Sequence, residues 1–185
     1  PDIPELYTRR FDRIAHGSTH GIETIVTAFA QFRRDSGYTG EVLVGSIARP
    51  KGRRFAPHRS HQSGRDVDIR LPKLPWFPRG LEPPPEEIDW RATWALIDAF
   101  LATGQVEMIF LDHYLQRPLY YAALSMGATP EELDRVITWP RKGGKGKQII
   151  RHSSGHEGHI HVRIKCGEDE PDCRTRRRRR KPTTP

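Results

Sequence analysis

The chain has 185 residues, of which 35% are hydrophobic, and carries a formal charge of +8 with 16 glycines and 16 prolines. That length suits one domain with a real core and argues against two, and no stretch is apolar and long enough to span a bilayer. The positive charge is local: Arg174, Arg176 to Arg180 and Lys181 supply seven of the positive charges, so the remainder is close to neutral and is not a basic nucleic-acid-binding surface.

In chain order, Pro1 to His16 is expected to be extended and irregular. Ser18 or Thr19 caps a helix running to about Asp35, with Ile22, Ile25, Val26, Phe29 and Phe32 on its core face and Gly37 as its stop. Glu41 to Ile47 reads as a strand, and Arg49 to Pro57 as a basic, broken loop. Asp66-Val67-Asp68-Ile69-Arg70-Leu71 alternates polar and apolar residues, the period of a half-buried strand. Val67, Ile69 and Leu71 are assigned to the core and Asp66, Asp68 and Arg70 to the other face. Pro72 to Pro85 is a proline-rich excursion, a substrate wall or a plain crossover.

Asp89 caps a second helix ending at Gly104, with Trp90, Trp94, Ile97, Ala99, Phe100 and Leu101 as its apolar material. Val106 to Leu111 is a short strand, which leaves Asp112 and His113 on opposite faces and structural. Tyr114 to Met126 is helical, and Thr129-Pro130-Glu131-Glu132 is a capping box opening a helix to about Ile137. Trp76, Tyr120 and Tyr121 are expected in the core, with the cleft lining as the alternative. After the Lys142 to Lys147 loop, His159-Ile160-His161-Val162-Arg163-Ile164 alternates again, with Ile160, Val162 and Ile164 inward. The order is mixed α+β, without the regular alternation of a doubly wound sheet.

The chemistry concentrates in the two alternating stretches. A catalytic zinc takes three protein ligands and leaves one position open. His61 and Asp68 are too far apart in sequence for one helical turn, but Gln62-Ser63-Gly64 lets the chain turn so that the strand returns Asp68 beneath His61. His161 supplies the third ligand from a neighbouring strand. His159, two residues earlier on the same face, is placed as a base or oxyanion partner. Asp66 is a candidate for orienting a histidine through its other nitrogen. Arg163 either holds a substrate carboxylate or pairs with Asp66. His156-Glu157-Gly158-His159 is not H-E-x-x-H, the Gly143 to Gln148 loop is not a Walker A loop, and neither S-x-x-K nor G-x-S-x-G occurs. Cys166 and Cys173 suit a small disulfide loop, hence an oxidising compartment and export; two unpaired buried thiols are the alternative. Pro1 to Tyr7 has no signal-peptide pattern, so an exported chain would have lost that segment or carry it upstream.

His58-Arg59-Ser60-His61-Gln62-Ser63-Gly64-Arg65-Asp66-Val67-Asp68 resembles the H-x-S-H-Q-x-G-x-D-V-D signature of penicillin-insensitive murein endopeptidases. His156-Glu157-Gly158-His159-Ile160-His161-Val162-Arg163, followed by Cys166, resembles that family's second motif. The resemblance runs from about Arg9 to Cys173. It implies the lysostaphin, D-alanyl-D-alanine-peptidase and hedgehog-like group, with flanking helices on an antiparallel central sheet. It also implies one zinc held by His61, Asp68 and His161, with His159 and His156 catalytic and His58 lining the site. Cys166 and Cys173 would then form a disulfide after the last core strand.

The implied activity is cleavage of D-alanyl–meso-diaminopimelyl cross-links of peptidoglycan by metal-bound water, insensitive to β-lactams, in the periplasm or otherwise outside the cytoplasm. A D,D-carboxypeptidase of the same fold and a catalytically silent wall-binding module with a structural zinc are the alternatives. Relatives with a second metal draw its ligands from the segment after the first motif. Here Trp76 to Pro85 holds no histidine, so one ion is expected. Residues 1–173 are expected to form one peptidase domain and 174–185 a basic tail or linker. That tail would touch anionic surfaces rather than nucleic acid, since no aromatic residues are interleaved for base stacking.

Overall fold

The computed structural model describes residues 3–53, 56, 58, 60–141, 147–170 and 173. The Arg-rich tail and most of the Lys142 to Lys147 loop lie outside them. Helix α1 (Thr19–Ser36) starts because Ser18 is extended and its hydroxyl accepts the Gly21 N–H, and it ends at Gly37. Helix α2 (Trp90–Ala102) is capped by Asp89, α3 (His113–Ser125) by Asp112, and α4 (Pro130–Val136) by the full Thr129–Glu132 capping box. The strands are β1 (Thr8–Arg9), β2 (Leu43–Val44), β3 (Asp66–Arg70), β4 (Val106–Phe110), β5 (Ile150–Arg151) and β6 (His159–Ile164).

The sheet order is β1-β2-β3-β6-β4-β5. Its centre, β2-β3-β6-β4, is antiparallel, but β1 joins β2 and β5 joins β4 in parallel. The expected antiparallel sheet is therefore a mixed one. The difference arises at its two edges, where Thr8–Arg9, from a segment read as irregular, and Ile150–Arg151, to which no element was assigned, lend two residues each to the ladder.

One face of the sheet makes the core. Val67, Ile69 and Leu71 from the β3 segment and Ile160, Val162 and Ile164 from β6 are buried, as their alternation requires. They share one hydrophobic cluster with Ile25, Phe29 and Phe32 of α1 and with Ile97 and Phe100 of α2. Phe29 is central: its ring lies 5.4 Å from Tyr7 and meets Phe100 edge-on at 5.7 Å. With the helices on that face, the polar residues of β3 and β6 are left together on the other.

Three expectations are corrected at the surface. Trp76 and Tyr121 are exposed rather than core; the Trp76 indole N–H donates to Glu87 at 2.7 Å. Asp112 and His113 do not alternate along a strand, because the chain turns into α3 at Asp112. The strand expected over Glu41 to Ile47 shortens to β2.

Candidate metal centre

Strands β3 and β6 pair in a register that sets Asp66 opposite Arg163, Asp68 opposite His161 and Arg70 opposite His159. Antiparallel partners project to the same side, so this register alone assembles six polar side chains on the face away from the helices. The loop before β3 brings His61 back over them. His61 sits at φ 51° and Gly64 at φ 78°, two left-handed residues that fold the loop tightly. The carbonyl of Gly64 accepts the Ser18 N–H at 3.0 Å.

Three atoms converge. His61 Nε2 is 3.1 Å from His161 Nδ1 and 3.1 Å from Asp68 Oδ1, and His161 Nδ1 is 3.0 Å from Asp68 Oδ1. All three side chains are buried. The far nitrogens of both histidines are committed elsewhere: His61 Nδ1–H donates to the Ile47 carbonyl at 2.8 Å, and His161 Nε2–H to Asp66 Oδ1 at 2.9 Å. Those bonds hold the far N–H groups, so an ion bound between the three near atoms would meet a lone pair from each imidazole and a carboxylate oxygen. Either a proton or a cation can sit between them, and a divalent ion would meet all three at once. Bonds of about 2.0–2.1 Å to one tetrahedral ion would set such atoms about 3.3 Å apart. The triangle is close to that size.

Asp66 is the organiser beneath. Besides His161, it accepts from Arg163 Nε at 2.7 Å and from the His61 backbone N–H at 3.3 Å. Of the two roles expected for Arg163, pairing with Asp66 is the one seen. Burial raises the Asp66 pKa, but the bonds from His161 and Arg163 outweigh it and leave the carboxyl at about 2. Asp68 is likewise held below the usual carboxylate range, its burial outweighed by His161 and His61. Burial lowers the His161 pKa, while Asp66 and Asp68 more than reverse that and raise it.

Around this triangle lie the other histidines expected at the site. His58 packs edge-on against His61 at 4.5 Å, and His58, His61 and Asp68 offer ligand atoms within 4.8 Å of one another, a group that could hold a metal ion. His159 Nε2 is 3.8 Å from Asp68 Oδ1 at the open edge. Burial lowers its pKa to about 4; Asp68 opposes the shift, and His156, Arg70 and His161 add to it. His156 lies 4.9 Å from His159, ring to ring, and its Nδ1–H points to the Ser153 and Ser154 carbonyls at 3.1 Å. Every residue singled out in the two motifs thus comes to one place. The sequence reading missed the Ile47 carbonyl, the Phe110 ring packed 5.5 Å from His161, and Arg70 beside His159. Only Arg70 carried a signal, its place on the polar face of β3.

A family model described as penicillin-insensitive murein endopeptidase matches residues 6–82, which include the His58 to Asp68 motif. A protein of that name from Yersinia enterocolitica serotype O:8 / biotype 1B is 35% identical over 150 residues, 72% of this chain and 48% of the relative. The chain is similar to the penicillin-insensitive murein endopeptidases. Others so named, from Pectobacterium atrosepticum and Salmonella arizonae, are 29% and 30% identical over 73% and 72% of the chain. This chain spans about half the length of these relatives, 48% of each. Cys166 and Cys173 are disulfide-bonded just beyond β6, the pairing that the resemblance implies.

Proposed function

We propose that this chain is a zinc peptidase domain that hydrolyses D-alanyl–meso-diaminopimelyl cross-links of peptidoglycan outside the cytoplasm, and does so in the presence of β-lactams. The observation that carries the reading is the buried triangle of His61 Nε2, Asp68 Oδ1 and His161 Nδ1, about 3 Å on each side, close to the size that one tetrahedral ion would set. His61 Nε2, Asp68 Oδ1 and His161 Nδ1 would hold the ion, with His58 beside them. When bound there, zinc supplies a Lewis acid that polarises a carbonyl and brings the pKa of a water near neutrality. A serine nucleophile, the target of β-lactams, has no part in such a site.

The chain's own residues do the rest. The Ile47 carbonyl and Asp66 keep both imidazoles turned toward Asp68, so nothing has to reorient during the reaction. His159, at the open edge of the triangle, is placed to take a proton at Nε2 from the attacking water. His156 donates through Nδ1 to the Ser153 and Ser154 carbonyls, so its Nε2 is left for the substrate. Hydrolysis joins the water oxygen to the carbonyl carbon, breaks the C–N bond and returns the proton to the leaving amine, most directly from His159. The helices behind the sheet and the site on antiparallel β3 and β6 fit a hedgehog- and D-alanyl-D-alanine-peptidase-like arrangement. The Arg174 to Lys181 tail would contact anionic wall polymer.

Purified cross-linked muropeptide dimers, digested with and without a chelator and analysed by mass, test this. Conversion to monomers, lost on chelation and restored by zinc, is the expected result. Intact dimers with free D-alanine released would indicate a carboxypeptidase instead. No product from zinc-loaded protein would overturn the enzymatic reading in favour of a wall-binding module.

A further inference from the structure

The polar face of β3 and β6 has an arginine at each end. Arg163 is spent on Asp66. Arg70, directly opposite His159, is only partly buried, and its Nη1 donates to the carboxylate of Glu82 and lies 3.5 Å from the Gly158 carbonyl. Glu82 comes from the proline-rich excursion, is exposed, and lays its carboxylate over Gly158, the residue before His159. A Cβ at Gly158 would run into that carboxylate and come within 2.8 Å of Arg70 Nη1. Beside the pair is a cavity of about 240 Å³ lined by Arg10, Glu41, Arg70, Lys73, Leu81 and Glu82, three cations against two carboxylates.

A guanidinium is a planar fork matched to a carboxylate, whereas a half-exposed pair such as Arg70–Glu82 contributes little to stability and exchanges partners easily. The Arg70 guanidinium is held beside a histidine of the site, on a surface where Gly158 leaves room for a carboxylate. We propose that Arg70 recognises the free carboxylate of the residue that follows the scissile bond, and that the Glu82 carboxylate occupies this seat until substrate displaces it. The proposal rests on the hydrolase reading above. In a D-alanyl–diaminopimelyl bond, the carbon bearing the scissile nitrogen also bears a carboxylate. The substrate class is therefore a peptide bond whose leaving amine sits α to a free, non-amidated carboxylate. Arg70 takes no part in proton transfer; it sets which amide lies over the metal cluster.

Two dimers that differ only in whether that carboxylate is free or amidated provide the test. Amidation should lower kcat/KM of the zinc-loaded protein about tenfold or more, the scale of a charge-assisted hydrogen bond. Arg70→Gln should lower the free-carboxylate dimer to the level of the amidated one and erase the preference. Glu82→Gln should lower KM for the free-carboxylate dimer alone. A preference that survives Arg70→Gln, or a Glu82→Gln variant with KM raised equally for both dimers, overturns the assignment. Binding of N-acetyl-D-alanine, followed by calorimetry, gives a readout independent of turnover. It should tighten in Glu82→Gln and vanish in the Arg70→Gln/Glu82→Gln pair; equal affinity in all three proteins also overturns it. Dimers left uncleaved while N-acetyl-D-alanine still binds through Arg70 would sink the hydrolase reading and leave the Arg70 seat standing.

Discussion

Gly64 and Ser18 are joined backbone to backbone, carbonyl to N–H at 3.0 Å, at the point where the His61 loop crosses the start of α1. The same Ser18 caps the helix with its hydroxyl. The longest helix and the His61 loop are therefore anchored through one residue, and disturbance at the contact reaches both.

Gly64→Ala tests that coupling. The glycine has φ 78°, and an added Cβ would lie 2.5 Å from the Ser18 nitrogen and 2.8 Å from the Gly17 carbonyl carbon. Neither neighbour is a flexible side-chain end, so the backbone must shift. The expected cost is about 1–3 kcal/mol, together with weaker zinc retention because His61 is displaced. Thermal melts and metal content after dialysis measure the two; a full zinc complement at a lowered Tm would show that the loop is not coupled to the helix.

Asp66→Asn should weaken zinc binding without abolishing it. Asp66 touches no proposed open position but accepts from His161, Arg163 and the His61 backbone. The amide keeps the shape and loses the charge that orients His161, a change worth about 10–100-fold in metal affinity at comparable sites. Chelator competition gives the dissociation constant directly. His61→Ala or Asp68→Ala should go further and remove both zinc retention and muropeptide cleavage. An active, metal-free variant of either would end the zinc proposal.

That Asp66 and Asp68 belong to one site with His161 was legible before any coordinates, because a period of two on both stretches sorts their residues onto faces without long-range information. What the period could not say is that this polar face is closed over: Asp66 is as buried as the core residues. The walls come from elsewhere, from the Ile47 carbonyl, Phe110 and the His61 loop, and no local pattern encodes which segments meet. The sheet edges were illegible for a similar reason. Two-residue strands such as Thr8–Arg9 and Ile150–Arg151 are too short to carry a period, and their partners select them. Asp112 illustrates competing local signals, since its side chain accepts the Tyr114 N–H as a helix cap where continued alternation would have kept it in a strand.

Zinc removal should cost stability as well as activity. The three side chains His61, His161 and Asp68 come together as a site only in the folded protein, and a ligand that binds only the folded state stabilises it by mass action. Free zinc at about a hundred times its dissociation constant should add about 2.7 kcal/mol. Melting temperature should therefore climb with zinc concentration after saturation of the site. A melting temperature indifferent to zinc and to chelator would argue that these three residues do not bind it.

Opening the Cys166–Cys173 disulfide should separate stability from metal binding. The bridge closes a loop with a sequence separation of seven, and loop-closure entropy puts its stabilisation at about 2–3 kcal/mol. Inside the loop, Glu170 accepts the His20 N–H at 3.1 Å and the Gly167 N–H at 3.3 Å, so the loop also holds a carboxylate at the first turn of α1. Of the proposed ligands, in contrast, Asp68 and His161 are fixed by the β3–β6 register and His61 by its bonds to Ile47 and Asp66, none of which involves the bridge. The Cys166→Ser/Cys173→Ser protein should melt well below the parent, with its zinc dissociation constant changed by less than about threefold. Glu170→Gln in the intact loop should show a smaller loss of about 0.3–1 kcal/mol, the usual scale of a charge at a helix start. A large fall in zinc affinity on reduction would mean instead that the α1 start and the Gly64 contact transmit the state of the loop to His61.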